Sequence, residues 1–176
     1  MIIVAAMSGC ASTPNEQRPA PGATSAQTLD STMSIPGQQE LNIIADAVQA
    51  IGRQDFVEVF AGVETDAANG RVVVYRVPSA SFDRMIASRT DVRRIQVSDA
   101  QYSERRLLDL VERIKTREHD WQQAGMSVNL LGVRHDGACA TVGTMTVEPF
   151  RRWLADRFPG EPICIEESGP AASWGG

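Results

Sequence analysis

The residues best suited to chemistry lie close together in one stretch, His135, Asp136 and Cys139. An imidazole, a carboxylate and a thiol at this spacing could bind a metal ion or form a Cys–His nucleophile pair. Asp136 is followed by Gly137, however, and Asp-Gly is a common hairpin turn, so a turn and a packed strand account for the same residue types. We therefore predict no catalytic residue, metal or cofactor. The alternative is a small metal-binding or cysteine-dependent enzyme built on this turn.

Arginine pairs are the other candidate site residues. The sequence contains no Gly-x-Ser-x-Gly and no glycine-rich phosphate-binding motif, which argues against serine-nucleophile and nucleotide chemistry. The net charge is −5 and aromatic residues do not alternate with the arginines, so we expect no nucleic-acid partner. We expect instead that four arginines set the orientation and association rate of a contact with another protein: Arg93, Arg94, Arg151 and Arg152.

The composition is that of a globular chain with room for one ordinary domain. Of 176 residues, 43% are hydrophobic and 22% are charged, which argues against disorder throughout. Three cysteines are too few for a disulfide-rich miniprotein or a four-cysteine zinc site. No apolar run reaches the roughly 18 residues of a membrane-spanning helix.

The N-terminal residues resemble a bacterial lipoprotein signal. An apolar run, Met1 to Met7, is followed by Ser8-Gly9-Cys10, which is similar to the lipobox. The resemblance implies that residues 1–9 are a signal peptide and that Cys10 carries the lipid. The protein would then lie outside the cytoplasm, anchored to the outer face of the bacterial cell membrane.

Two segments are predicted to be flexible. Residues 10–38 are rich in Pro, Ala, Ser and Thr without apolar periodicity, so they cannot bury enough surface to offset the entropy of ordering. This composition suits a tether between a lipid anchor and a folded domain. Residues 168–176, rich in Gly, Ala and Ser, form a similar tail.

The folded part, residues 39–167, is predicted to be α+β with an internal repeat. A helix over 41–51 ends near Gly52, and each half then reads hairpin, helix, strand (ββαβ), over 56–98 and 128–167. We expect a small antiparallel sheet in each unit, with helices on one face and the third strand beside the first. A long helix over 103–124 joins the units.

Residue matches between the halves support the repeat. The segment 62–66 corresponds to 132–136, both beginning Gly-Val and ending in Asp, and the segment 82–86 corresponds to 150–154. Phe82 and Phe150 are therefore expected at equivalent core positions.

The strand order decides whether Cys139 and Cys164 form a disulfide. Pairing is expected in an oxidising compartment, and both side chains point to the same face of the predicted sheet. If the first strand of the unit lies between them, the cysteines are roughly 9–10 Å apart, beyond the roughly 7 Å limit for a bridge. This order favours free, buried thiols.

The repeat unit resembles the prodomains of α-lytic protease and the streptogrisins. The similarity rests on the hairpin from Gly62 to Val74, the helix and strand that follow, and a helix that begins at Tyr102-Ser103-Glu104. It implies a non-catalytic module that docks on a secreted trypsin-like serine protease and assists its folding. We therefore predict a lipoprotein that acts by protein–protein contact.

Overall fold

The computed structural model describes residues 37–89 and 91–169. The predicted signal peptide, Cys10, the predicted tether up to residue 36 and the tail from residue 170 lie outside these residues. The described chain is α+β and contains two three-stranded sheets. Among the described residues, no helix combines the length and apolar character needed to cross a bilayer.

The helices and strands follow the same order in the two units, except that the second unit has an additional short helix before its first strand. The first unit contains α1 (Gln38–Asp55), β1 (Phe60–Asp66), β2 (Arg71–Arg76), α2 (Ala80–Arg89) and β3 (Ile95–Asp99). The second contains α3 (Glu104–Lys115), α4 (Glu118–Gln123), β4 (Leu130–Val133), β5 (Ala140–Thr144), α5 (Val147–Arg157) and β6 (Ile163–Glu167).

Both sheets are mixed, and the predicted antiparallel arrangement was wrong. Their orders are β1-β2-β3 and β4-β5-β6, so the second strand of each unit is central. The hairpin strands are antiparallel, whereas the third strand runs parallel to the second. The physical reason is the connection between these two strands, which contains a helix and is long enough to return the chain to the starting end of the sheet.

The two hairpins have equivalent strand registers, but the predicted residue correspondence between them was wrong by two residues. Val63 pairs with Val74 and Leu131 pairs with Val142, so equivalent positions lie 68 residues apart, as Phe82 and Phe150 do. The structural equivalent of residue 62 is therefore residue 130, not 132. A two-residue slip preserves the alternation of side chains in a strand, so hydrophobic pattern alone cannot detect it.

Each unit has its own hydrophobic core. Phe82 and Phe150 are fully buried, one in each core. The first core contains Leu41, Ala45, Val48, Phe60, Val72, Val74, Phe82 and Ile86. The second contains Leu110, Val111, Ile114, Trp121, Met126, Ala140, Val142, Phe150, Trp153 and Leu154.

The predicted long helix is two helices and belongs to the second unit. Ser103 caps α3 by accepting a hydrogen bond from the Arg106 amide, as its residue type predicts. The helix ends at Lys115, and α4 begins at Glu118. Helix α3 packs on β4 and β5 as α1 packs on β1 and β2, and it also contacts β1, so it covers the second sheet and joins the two units.

Candidate functional site

Cys139 and Cys164 form a disulfide, so the predicted free thiols were wrong. Their Cα atoms are 5.8 Å apart, within bridging distance. Cys139 immediately precedes β5, and Cys164 lies in the neighbouring strand β6. The error followed from the expected strand order, because the central strand of the sheet is β5 and no strand separates the cysteines. In this state Cys139 offers no thiolate to a metal or a substrate.

Asp136 stabilises the hairpin turn between β4 and β5. Its carboxylate accepts a hydrogen bond from the Ala138 amide at 3.0 Å. It also forms an ion pair with Arg134, with an N–O distance of 2.6 Å. The hydrogen bond from Arg134 is the main cause that lowers the pKa of Asp136. Gly137 follows with φ +68°, the left-handed conformation that this turn requires. The carboxylate therefore has a structural role in the turn.

His135 joins this turn to the first sheet. Its Nε2 lies 3.3 Å from Glu64 Oε2, and its ring lies 5.6 Å from the Tyr75 ring. Tyr75 also donates a hydrogen bond to Glu64 at 3.0 Å, and burial is the main cause that raises the pKa of Tyr75. Gly62 lets the turn pack closely on the first sheet, because a Cβ at this position would lie 2.3 Å from the His135 carbonyl oxygen. The turn is thus part of the interface between the two units.

No metal centre is formed by this turn. Cys139 is in the disulfide, and Asp136 is bonded to Arg134. Throughout residues 37–89 and 91–169, no group of three or more His, Cys, Asp or Glu side chains is arranged to hold a metal ion.

The four candidate arginines belong to different units. Arg93 and Arg94 lie in the short turn before β3, where Arg93 pairs with Asp91 and Arg94 pairs with Glu40 at 2.7 Å. Arg151 and Arg152 are exposed on α5, and Arg151 pairs with Glu148 at 3.3 Å. Arg93 and Arg151 are thus engaged in local ion pairs, whereas the pair of Arg94 reaches α1, 54 residues away in sequence.

A groove of about 450 Å³ runs between α3 and β4, and sequence reasoning missed it. One wall is formed by side chains of α3 and α4, and the other by residues 128–132. Leu108 and Leu130 line it and are 44% and 47% exposed. One feature of the sequence could have indicated the groove. Leu108 is apolar, yet it lies outside the row of α3 residues that are buried in the fold.

The groove borders an edge of the second sheet. Strand β4 pairs with β5 on one side, and among the described residues no strand pairs with its other side. Gly132 lies within β4, and a Cβ added there would meet no heavy atom within 4 Å. A glycine in a strand often marks close approach by another backbone, and here the space beside it is open.

Comparison of the chain with protein-family models and with curated proteins gives no match.

Proposed function

We propose that this protein is a non-catalytic, extracytoplasmic lipoprotein that acts by binding another protein. The predicted lipid at Cys10 and the predicted tether that follows it would hold the folded part near the outer face of the cell membrane. The disulfide between Cys139 and Cys164 supports this location, because disulfides persist in oxidising compartments.

The observation that carries the proposal is the groove beside β4. Two large leucines are exposed there next to the edge of a sheet, and exposed apolar surface beside an unpaired strand edge is typical of a binding surface. An extended segment of a partner can add to such an edge through main-chain hydrogen bonds while its side chains enter the groove.

The partner that we propose is a secreted trypsin-like serine protease, presenting an extended segment to β4. This choice follows from the resemblance of the ββαβ unit to protease prodomains. Gly132 supports close approach of the partner's backbone, since the space that its missing side chain leaves is open. Arg93, Arg151 and Arg152 are exposed and Arg94 is half-buried, and we propose that these four arginines orient the encounter and raise the association rate.

The alternative, a metal-binding or cysteine-dependent enzyme, gains no support among the described residues. It needs the Cys139 thiolate, and that sulfur is bonded to Cys164. It also needs the Asp136 carboxylate, which already binds Arg134 and the Ala138 amide.

The test uses the full chain and a mature streptogrisin-type protease, with binding measured by calorimetry and by inhibition of the protease. Wild-type protein is expected to bind in a one-to-one complex. Gly132→Val places a side chain in the open space beside β4, where a Cβ meets no atom of the fold within 4 Å, so it should weaken binding about tenfold or more.

The matched control is Gly169→Val, since a Cβ at Gly169 also meets nothing within 4 Å but lies outside the groove. It should bind like wild type. Absence of binding by wild-type protein contradicts the protease as partner, and equal binding by the Gly132→Val variant contradicts the groove as the surface.

A further inference from the structure

A second pocket, of about 440 Å³, lies where the C-terminal ends of α3 and α5 meet. Its lining residues are Arg113, Thr116, Arg117, Arg157 and Phe158. Three of the five are arginines and none is acidic. In a chain of net charge −5, this concentration of positive charge calls for an explanation.

Aromatic rings hold two of these arginines in place. The Arg157 guanidinium carbon lies 4.6 Å from the centre of the Trp153 ring, and that of Arg113 lies 5.9 Å from the centre of the Phe158 ring. Such cation–π contacts use the flat face of a guanidinium and leave N–H groups at its edge available. The donors are therefore partly preorganised for a ligand.

The carboxylates nearby do not balance the arginines. Glu161 is only 17% exposed, and it is shared by Arg106 and Arg113. Arg117 reaches Asp120 at 3.4 Å, a long contact. Within residues 37–89 and 91–169, Arg157 has no acidic partner, and its polar contact is with the Trp153 carbonyl at 3.5 Å. Positive charge is thus left over at the pocket.

Helix electrostatics explains only part of this arrangement. Arg113 and Arg157 lie in the last turns of α3 and α5, where a cation is stabilised by the helix dipole. Arg117 lies between Thr116, the C-cap of α3, and the first turn of α4, so the dipoles of the two helices act on its charge in opposite directions. The dipoles therefore give little net stabilisation to this third cation beside the other two.

We propose that this pocket binds a phosphate group. A phosphate carries up to two negative charges and several acceptor oxygens, and guanidinium forks match its geometry in bidentate fashion. Arg113, Arg117 and Arg157 supply the donors, whereas the Thr116 hydroxyl already donates to the Arg113 carbonyl. The pocket volume leaves room for the organic part of a phosphomonoester. This site is separate from the groove beside β4, and it does not depend on the proposed partner.

The experiment titrates the full chain with inorganic phosphate at low ionic strength and follows amide and guanidinium signals by NMR. Arg117→Gln and Arg157→Gln should each weaken binding about tenfold or more, since each removes charge-assisted hydrogen bonds. Arg105→Gln is the matched control, because Arg105 lies on α3 but outside the pocket, paired with Asp109. It should bind like wild type.

A second variant guards against loss of binding through misfolding. Glu161→Gln removes the carboxylate that neutralises Arg106 and Arg113, so it should strengthen phosphate binding several-fold. Damage to the fold cannot produce such a gain.

Two arms identify the source of the phosphate. If the protein binds glycerol phosphate as tightly as it binds phosphatidic acid vesicles, the ligand is a soluble phosphate compound. If it binds only the vesicles, the ligand is a lipid headgroup. No saturable binding of phosphate, glycerol phosphate or these vesicles up to about 10 mM phosphate groups overturns the proposal. Equal weakening by Arg105→Gln also overturns it, because the effect would then be general charge screening.

Discussion

The disulfide gives the second unit a stabilising cross-link that the first unit lacks at the equivalent positions, which are Arg71 and Gln96. Cys139 and Cys164 are 25 residues apart, and closing a loop of this length in the unfolded chain stabilises a protein by about 2–4 kcal/mol. The double variant Cys139→Ala/Cys164→Ala should therefore lose about that much free energy of unfolding. Urea denaturation of both proteins measures the difference, and identical midpoints and slopes would contradict the expected stabilisation.

The two buried phenylalanines allow a matched comparison. Phe82 and Phe150 are both fully buried at equivalent positions, so each change to alanine should cost about 3–5 kcal/mol of unfolding free energy. Phe150 contacts Trp121 and Trp153, with ring centres 6.1 and 5.4 Å away. Only Phe150→Ala should therefore shift the emission of these tryptophans in the folded protein. A cost below about 1 kcal/mol at either position would show that its core repacks freely.

Glu161 makes stability depend on pH in the acid range. The hydrogen bond from Arg113 is the largest cause that lowers its pKa below the ordinary value of 4.5, with burial opposing. Because the folded pKa is the lower one, the ion pairs contribute stability above pH 4.5 that is lost as the pH falls through the folded pKa.

Denaturation at a series of pH values tests this effect. Glu161→Gln should be less stable than wild type at pH 7 and should lose less stability on acidification below pH 4.5. Asp109→Asn is the control, since Asp109 forms an exposed pair on the same helix α3. Parallel pH curves for wild type and Glu161→Gln would contradict the assignment.

At the scale of residues, local chemistry was predictable and distant pairing was not. Ser103 caps α3, and Asp136-Gly137 forms a turn, because both effects depend on neighbours in sequence. The bond between Cys139 and Cys164 depends on which strands are adjacent, and side-chain alternation carries no information on strand order. Arg113, Arg117 and Arg157 come together only through the packing of α3 beside α5.

At the scale of elements, the contact between the second hairpin turn and the first sheet couples the units. A Cβ at Gly62 would lie 2.3 Å from a backbone oxygen of that turn, which cannot move aside without shifting the turn. Gly62→Ala should therefore destabilise the protein by about 1–3 kcal/mol. It should also separate the unfolding transitions of the two units.

Two probes measure this separation. Trp121 and Trp153 lie in the second unit, so their fluorescence follows that unit, whereas far-ultraviolet circular dichroism follows both. The two transitions should coincide in wild type and diverge in Gly62→Ala. Gly132→Ala is the control, since its Cβ meets no atom within 4 Å. Coincident transitions in Gly62→Ala would contradict coupling through this contact.

Element types were predictable from periodicity, but two boundaries were not. Gly52 was expected to end α1, yet the helix continues to Asp55, because this glycine lets the Phe60 ring pack against the helix. The break after Lys115 was also missed, since Trp121 continues the apolar stripe across it. In both cases tertiary packing, rather than local propensity, determines the outcome.

At the scale of the whole molecule, membrane association tests the lipid anchor. Cys10→Ser removes the sulfur that would carry the lipid, so the variant should move from the membrane fraction to the soluble fraction of cells. Cys139→Ala/Cys164→Ala is the control, because it removes the other two cysteines and should leave the protein in the membrane fraction. Mass spectrometry of the mature protein provides the contradicting outcome. A chain that begins before residue 10 and carries no lipid on Cys10 would contradict the anchor.

The α+β class and the duplicated unit were predictable from the whole sequence, because the elements recur in the same order. The groove was not predictable, since it forms between α3 and β4, whose contact is tertiary. Leu130 reads as an ordinary strand residue until the sheet order places β4 at an edge. A binding surface made of common residue types thus becomes visible only when the neighbours of each element are known.

The separation of the two cores has a consequence for the order in which the chain folds as it emerges, N-terminus first. The first core is complete once residue 99 has emerged, because its members lie between Leu41 and Ile95. Domains fold as units and the N-terminal one folds first as the chain emerges. The first sheet can therefore form before Cys139 and Cys164 have emerged and become available for oxidation. The turn at His135 would then close against a finished surface, with the first unit acting as a template for the second.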